Sequence, residues 1–226
     1  MMTVNQIIGN SSNQICANFG KRLFAWMMAQ NSGTYDKIVG YVYDGLRLRK
    51  RSLFANLQGK VLEIGTITGP NLPYYPKDIH WIGIEPNPHM HSYLQKQAQK
   101  LNLNIDLRMC NAEWLDAEDN SIDTVVSTLA LCSVVNIDYT LQAILRVLKP
   151  GGRFLFIEHV AAPQGTVLRQ LQRTISPIWK VIGDGCHPDR ETWIALENAG
   201  FASVNYERFD AQLPIISPHI IGVATK

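Results

Sequence analysis

The run Val61-Leu62-Glu63-Ile64-Gly65-Thr66-Ile67-Thr68-Gly69-Pro70-Asn71-Leu72 constrains the fold of this chain more than any other segment. It reads as a buried strand, a glycine-punctuated turn and a helix start. A second strand, His80–Glu85, ends in a carboxylate, and Glu85 lies 85 − 65 = 20 residues after the first glycine. At about that spacing an acidic side chain meets the ribose hydroxyls of a nucleotide held at the glycine turn. The segment therefore points to an adenosine-containing ligand.

From Lys60 onward strands and helices alternate, which implies a parallel sheet. The spacing predicts strands at 61–65, 80–85, 105–109, 122–127 and 154–158, with helices at 88–102, 139–148, 167–182 and 191–199. Lys149-Pro150-Gly151-Gly152 reads as the turn between a helix and the fifth strand, and Gly200 as a helix stop. Segments 202–208 and 219–225 are strand-like with no helix-length stretch between them, so they should pair as an antiparallel hairpin. The expectation is an α/β, Rossmann-like, seven-stranded and mostly parallel sheet with an antiparallel C-terminal hairpin. Residues 1–57 read as an N-terminal helical cap or lid, and 58–226 as the main domain.

Charge excludes bulk nucleic-acid binding, because 21 Lys+Arg nearly balance 19 Asp+Glu. The basic cluster Arg47, Arg49, Lys50 and Arg51 is read as a solvated helix face rather than an anion site. Cys16, Cys110, Cys132 and Cys186 show no metal-ligand spacing, so no metal site is expected and the thiols should be reduced, as in a cytoplasmic protein. No apolar run reaches the roughly 18 residues of a membrane span. Leu23–Met28 beside Lys21 and Arg22 suits either an interfacial helix or, as we favour, a helix packed on the domain; membrane contact is at most peripheral.

A dinucleotide site needs G-x-G-x-x-G, and the third glycine is missing after Gly69. The pattern instead resembles motif I of the class I S-adenosylmethionine (SAM) methyltransferases, E-x-G-x-G-x-G, with Ile67 where the middle glycine belongs. Three further motifs resemble that family in order: Ile84-Glu85-Pro86-Asn87, Asn111-Ala112-Glu113 with Asp123, and Leu148–Phe154. Leu131-Cys132-Ser133-Val134, Glu158-His159-Val160, Trp179-Lys180, Gly183-Asp184-Gly185-Cys186, Arg190-Glu191-Thr192-Trp193 and Pro218-His219-Ile220 narrow the likeness to the methyltransferase-like thiol S-methyltransferases. The ubiquinone and menaquinone C-methyltransferases are similar in the cofactor half only.

The resemblance implies SAM as cofactor and S-adenosylhomocysteine as product. It assigns Glu63, Gly65, Thr66, Gly69, Asn71, Glu85, Pro86, Asn111, Ala112, Glu113, Thr128 and Leu129 to the cofactor. His159, His187 and Asp184 are the candidate catalytic side chains, since each stands at a strand end or in a glycine-bounded loop. The acceptor should be a small, fairly apolar molecule, best a thiol, which already carries a few per cent of thiolate at neutral pH and needs only a modest base. Two alternatives stay open: O-, N- or C-methylation of an aromatic or quinone-like metabolite, and a binding protein that lost catalysis because a β-branched residue at position 67 takes positive φ at a cost.

Overall fold

The computed structural model of the chain describes Lys21 and residues 46–226, residue 212 excepted. The proposed helix at 23–28 and nearly all of the N-terminal cap lie outside the described residues. Helix α1 occupies residues 46–54. It is followed by β1 (Lys60–Ile64), β2 (His80–Ile84), α2 (Pro88–Lys100), β3 (Asp106–Arg108) and β4 (Ile122–Thr128). Then come α3 (Ile137–Val147), β5 (Leu148–His159), α4 (Val167–Ile182), α5 (Thr192–Asn198), β6 (Ser203–Asp210) and β7 (Pro218–Thr225).

The strands form one seven-stranded sheet in the order β3-β2-β1-β4-β5-β7-β6. The first five are parallel, and β7 runs antiparallel to both β5 and β6. This is the expected architecture. Four successive residues of β1, Val61 to Ile64, and four of β2, Trp81 to Ile84, are buried, as strands covered on both faces must be. One cluster around Leu62, Ile84, Val125, Phe154 and Phe156 fills one side of the sheet, and another around Phe54, Val61, Trp81 and Leu155 fills the other. Leu46 of α1 packs on Ile157 and Ile221, so the end of the N-terminal segment joins the sheet core.

Side-chain caps set several boundaries. Asn87 accepts a hydrogen bond from the His89 amide ahead of Pro88, the first residue of α2. Asn136 accepts from the Tyr139 amide and starts α3 two residues before the predicted position. The Lys149-Pro150-Gly151-Gly152 turn is corrected: β5 runs through it as a bulge, with the pairing register against β4 shifting between Ile122 and Thr124 and Gly151 at φ 74°. Glycine serves there because the bulge needs positive φ.

The basic cluster is partly structural. Arg49 pairs with Glu207 and stacks over Phe209, and Lys50 is buried near Tyr74. Helix α4 inverts the usual amphipathic arrangement. Arg169, Gln172 and Ser176 are buried, whereas Val167, Leu171, Ile178 and Val181 are exposed. Among the described residues, no helix is long and apolar enough to cross a membrane.

Candidate active site

The carboxyl ends of β2, β1, β4 and β5 lie side by side, with the topological switch point between β1 and β4. Open α/β sheets bind ligands at such a point, and the sequence-predicted cofactor residues assemble there. Leaving β1, Gly65 (φ 67°) and Gly69 (φ 85°) bracket a turn in which the Gly65 amide donates to the Ile84 carbonyl at 2.9 Å and the Gly69 amide to the Thr66 carbonyl at 2.9 Å. A Cβ on Gly65 would come within 2.5 Å of the Ala130 Cβ, so only glycine lets the turn lie this close to the loop after β4.

Ile67 holds φ 50°, the left-handed conformation that a glycine would take without strain. The substitution that departs from motif I therefore leaves the turn's shape intact. The Ile67 amide donates to Glu85 Oε2 at 2.8 Å, and the Asn87 amide to Oε1 at 2.9 Å. Glu85 is thus fixed before any ligand arrives, and burial pushes its carboxyl above the usual range while the two amides pull it back.

Glu63 lies beneath the turn. Its oxygens accept from Asn71 Nδ2 at 2.7 Å and from Trp81 Nε1 at 3.0 Å, and burial drives its pKa to about 7. Asn71 Nδ2 also donates to Thr128 Oγ1 at 3.1 Å, so β1, the turn and the end of β4 are tied through one amide. Glu63 and Thr128 therefore hold the turn together through their side chains. Asn71 Oδ1 and Thr66 Oγ1 are buried without a partner. Leu129 sits at φ 55°, its amide donating to the Ile157 carbonyl at 2.8 Å.

Beyond β3, Ala112 is buried and Asn111 exposed at a short 3₁₀ turn. The Glu113 carboxylate accepts from the Val135 and Asn136 amides at 2.9 and 3.1 Å, so it fastens the loop that enters α3. Pro86 is exposed. The orphaned oxygens at the turn and the pre-set Glu85 fit the amino-acid and ribose parts of SAM.

The three catalytic candidates fall into three different surroundings. Asp184, at φ 48°, lies within electrostatic reach of Glu85 and Lys21 beside Asn87, and burial raises its pKa. His187 anchors its loop by donating its amide to the Cys132 carbonyl at 2.9 Å, and burial, with Arg190 and Lys180 nearby, lowers its imidazole pKa. His159 is buried at the end of β5 with Nε2 3.0 Å from Cys186 Sγ.

The Cys186 partnership is absent from the sequence reading. Cys186 Sγ also accepts from Trp179 Nε1 at 3.3 Å, and Cys132 joins the group. Its neighbour Cys132 foremost, then His159 and Trp179, pull the Cys186 thiol well down, while the same proximity raises Cys132, whose Sγ donates to the Leu129 carbonyl at 3.5 Å. The only sequence signal was that all three residues fall in the motifs of the narrower resemblance. Nearby, Glu158 accepts from Ser127 Oγ at 2.6 Å and the Ala130 amide at 3.2 Å. Arg190 donates to the Leu131 and Val134 carbonyls at 2.5 and 2.9 Å, locking the post-β4 loop to the segment before α5.

Residues 62–156 match a family model described as a methyltransferase domain. The chain is 39% identical over 191 residues to the human thiol S-methyltransferase TMT1A, covering 79% of this chain and 78% of that protein. It is 36% identical over 137 residues to the ubiquinone/menaquinone biosynthesis C-methyltransferase UbiE of Bartonella henselae, covering 55% and 53% of the two chains. A solved structure of a SAM-dependent methyltransferase from Thermotoga maritima superposes with TM-score 0.61 at 18% identity, over 88% of this chain and 97% of that one.

Proposed function

Since this chain belongs to the SAM-dependent methyltransferases, in the family of the thiol S-methyltransferases, we propose that it methylates the sulfur of a small, fairly apolar thiol. The observation that carries the choice of acceptor is the reach of the likeness. The match to the human thiol S-methyltransferase spans 79% of the chain, beyond the cofactor half, whereas the match to the quinone C-methyltransferase spans 55%.

Bound SAM supplies an electrophilic methyl group on a sulfonium centre. Glu85, held by the Ile67 and Asn87 amides, accepts from the ribose hydroxyls. The turn from Gly65 to Gly69, with Thr66 and Asn71, would receive the amino-acid end, and Asn111 and Ala112 the adenine edge. Thr128 and Leu129, where β4 ends, would contribute backbone near the methyl-bearing sulfur. Methyl transfer depends on alignment at near-attack distance in a dry pocket, and the buried groups at the ends of β4 and β5 supply such a wall.

A thiol acceptor, with a pKa near 8.5, gives up its proton to a modest base. His187, whose imidazole burial holds below its ordinary range, is the side chain we assign to that step. We place the protein in the cytoplasm, with contact to membranes at most peripheral; the exposed apolar row of α4 is what favours such contact.

The test is to supply purified protein with SAM and a panel of aliphatic and aromatic thiols, phenols and quinols. S-methylated products, located by mass-spectrometric fragmentation, are expected. S-adenosylhomocysteine formed only with phenols or quinols would transfer the assignment to O- or C-methylation.

A further inference from the structure

Cys132, His159 and Cys186 come from three separate elements: the loop after β4, the last residue of β5 and the loop after α4. Their ligand atoms lie within 4.8 Å of one another, and all three residues are buried. We propose that these three side chains form a binding site for one thiophilic divalent cation, zinc being the best match. Two sulfurs and an imidazole nitrogen are a zinc donor set, and three protein ligands leave the fourth position for a ligand from outside.

Ligand-atom separations of up to 4.8 Å would have to contract by as much as about 1 Å around an ion. Zinc–sulfur bonds of about 2.3 Å and zinc–nitrogen bonds of about 2.0 Å set tetrahedral ligand separations of roughly 3.5 to 3.8 Å. His159 Nε2 stands 3.0 Å from Cys186 Sγ, so the ion requires a parting of about half an ångström where a hydrogen bond now lies.

The imidazole's other nitrogen can carry the proton this assignment needs, and no hydrogen bond holds it in the metal-free chain. A metal on Nε2 requires the proton on Nδ1. His159 Nδ1 is buried with no partner, and so is His219 Nε2. His219 Nδ1 lies 2.8 Å from the Ser217 carbonyl and must donate to it, which leaves its Nε2 a lone pair. The two rings meet edge to face with centroids 6.2 Å apart, so a protonated Nδ1 and an acceptor Nε2 occupy neighbouring rings.

Proton balance is simple. Ion binding releases the Cys132 proton, and the proton held between His159 and Cys186 either leaves or moves to His159 Nδ1. Arg190 interacts electrostatically with both sulfurs, and Glu158 with Cys132. Arg190 and Glu158 offset one another, which leaves the two negative charges of the dithiolate for a divalent cation to neutralise. A thiolate acceptor suits the fourth position; that extension alone rests on the proposed thiol reading.

The experiment uses the full chain, reduced, stripped with chelator and titrated with Co²⁺. One equivalent should develop a near-ultraviolet sulfur-to-cobalt charge-transfer band with tetrahedral visible bands, displaced by Zn²⁺. Cys132→Ser, Cys186→Ser and His159→Gln should each weaken or abolish it while S-adenosylhomocysteine binding reports the fold. X-ray absorption of zinc-loaded wild type covers the case of a variant that does not fold, and should show two sulfurs and at least one imidazole. Absence of the band, a first shell of nitrogen and oxygen only, or a Cys132–Cys186 disulfide persisting in reductant would each overturn the site. Thiol methylation that continues in chelator, without a cobalt band, would overturn the metal site and leave the thiol acceptor standing.

Discussion

The Ile67 amide donates to Glu85 Oε2 at 2.8 Å, coupling the glycine turn after β1 to the carboxylate after β2. The residue that breaks the glycine pattern therefore helps, through its backbone amide, to fix the orientation of Glu85, with the Asn87 amide on the other oxygen.

Glu85→Gln should disrupt both jobs. An amide presents one oxygen and one NH₂ where two backbone N–H groups now point at carboxylate oxygens. Hydrogen bonds to a charged acceptor contribute about 1.5–3 kcal/mol, so S-adenosylhomocysteine affinity should fall at least about tenfold. Calorimetric titration measures this directly, and binding within twofold of wild type would refute the role.

Ile67→Gly should be close to neutral. Relief of positive-φ strain, about 1–2 kcal/mol, is offset by glycine's greater unfolded-state entropy and the loss of a half-buried side chain. Cofactor affinity should move by no more than about threefold, or roughly 0.7 kcal/mol. A gain of tenfold or more would show that isoleucine obstructs the site.

Gly65→Ala should be costly. The added Cβ meets Ala130 at 2.5 Å at a position with φ 67°, which combines overpacking with backbone strain. We expect a loss of about 2–4 kcal/mol in denaturant unfolding together with loss of cofactor binding. Undiminished stability would mean that the loop after β4 yields freely.

Two buried groups give opposite pH dependences. Glu63, near 4.5 when unfolded and about 7 when folded, keeps its proton longer in the native state, so its contribution is complete below pH 4.5 and lost as pH rises through 7. His219, near 6.5 unfolded and about 4 folded because burial disfavours its charge, contributes fully above pH 6.5 and loses that contribution as pH falls through 4. Each swing is on the order of 3 kcal/mol. Between pH 4.5 and 6.5 they oppose one another. Relative to wild type, Glu63→Gln should make stability rise more steeply with pH and His219→Asn should make it fall, in urea unfolding from pH 4.5 to 7. Slopes of the same sign would contradict the assignment.

The strands of the sheet and the place of Glu85 were legible because both depend on short-range pattern: apolar runs, glycines and a fixed interval between two strand ends. The start of α3 was displaced by the Asn136 cap, a side-chain choice that apolar periodicity does not register. Lys149–Gly152 read as a loop because the bulge that absorbs it is defined only by pairing with β4. His159 and Cys186 stand 27 residues apart in different elements, and their contact follows from how the loop after α4 folds back. Asp184 and His187 are three residues apart yet face different surroundings, one toward Glu85 and the other toward Arg190 and Lys180. Left-handed backbone at Asp184 separates them, and no spacing rule reveals it.

The placement of β7 between β5 and β6 dictates an order of assembly. Strand β6 precedes β7 in the chain, yet among the described strands it hydrogen-bonds only to β7. During vectorial synthesis β6 leaves the ribosome with no strand ready to receive it, and the β5 edge waits open for the same late arrival. The parallel half, which carries the cofactor turn, can collapse first; the sheet closes afterwards in a single zippering of the terminal hairpin onto β5. A pause or nick between residues 203 and 218 should therefore leave a half-sheet with an exposed, aggregation-prone edge.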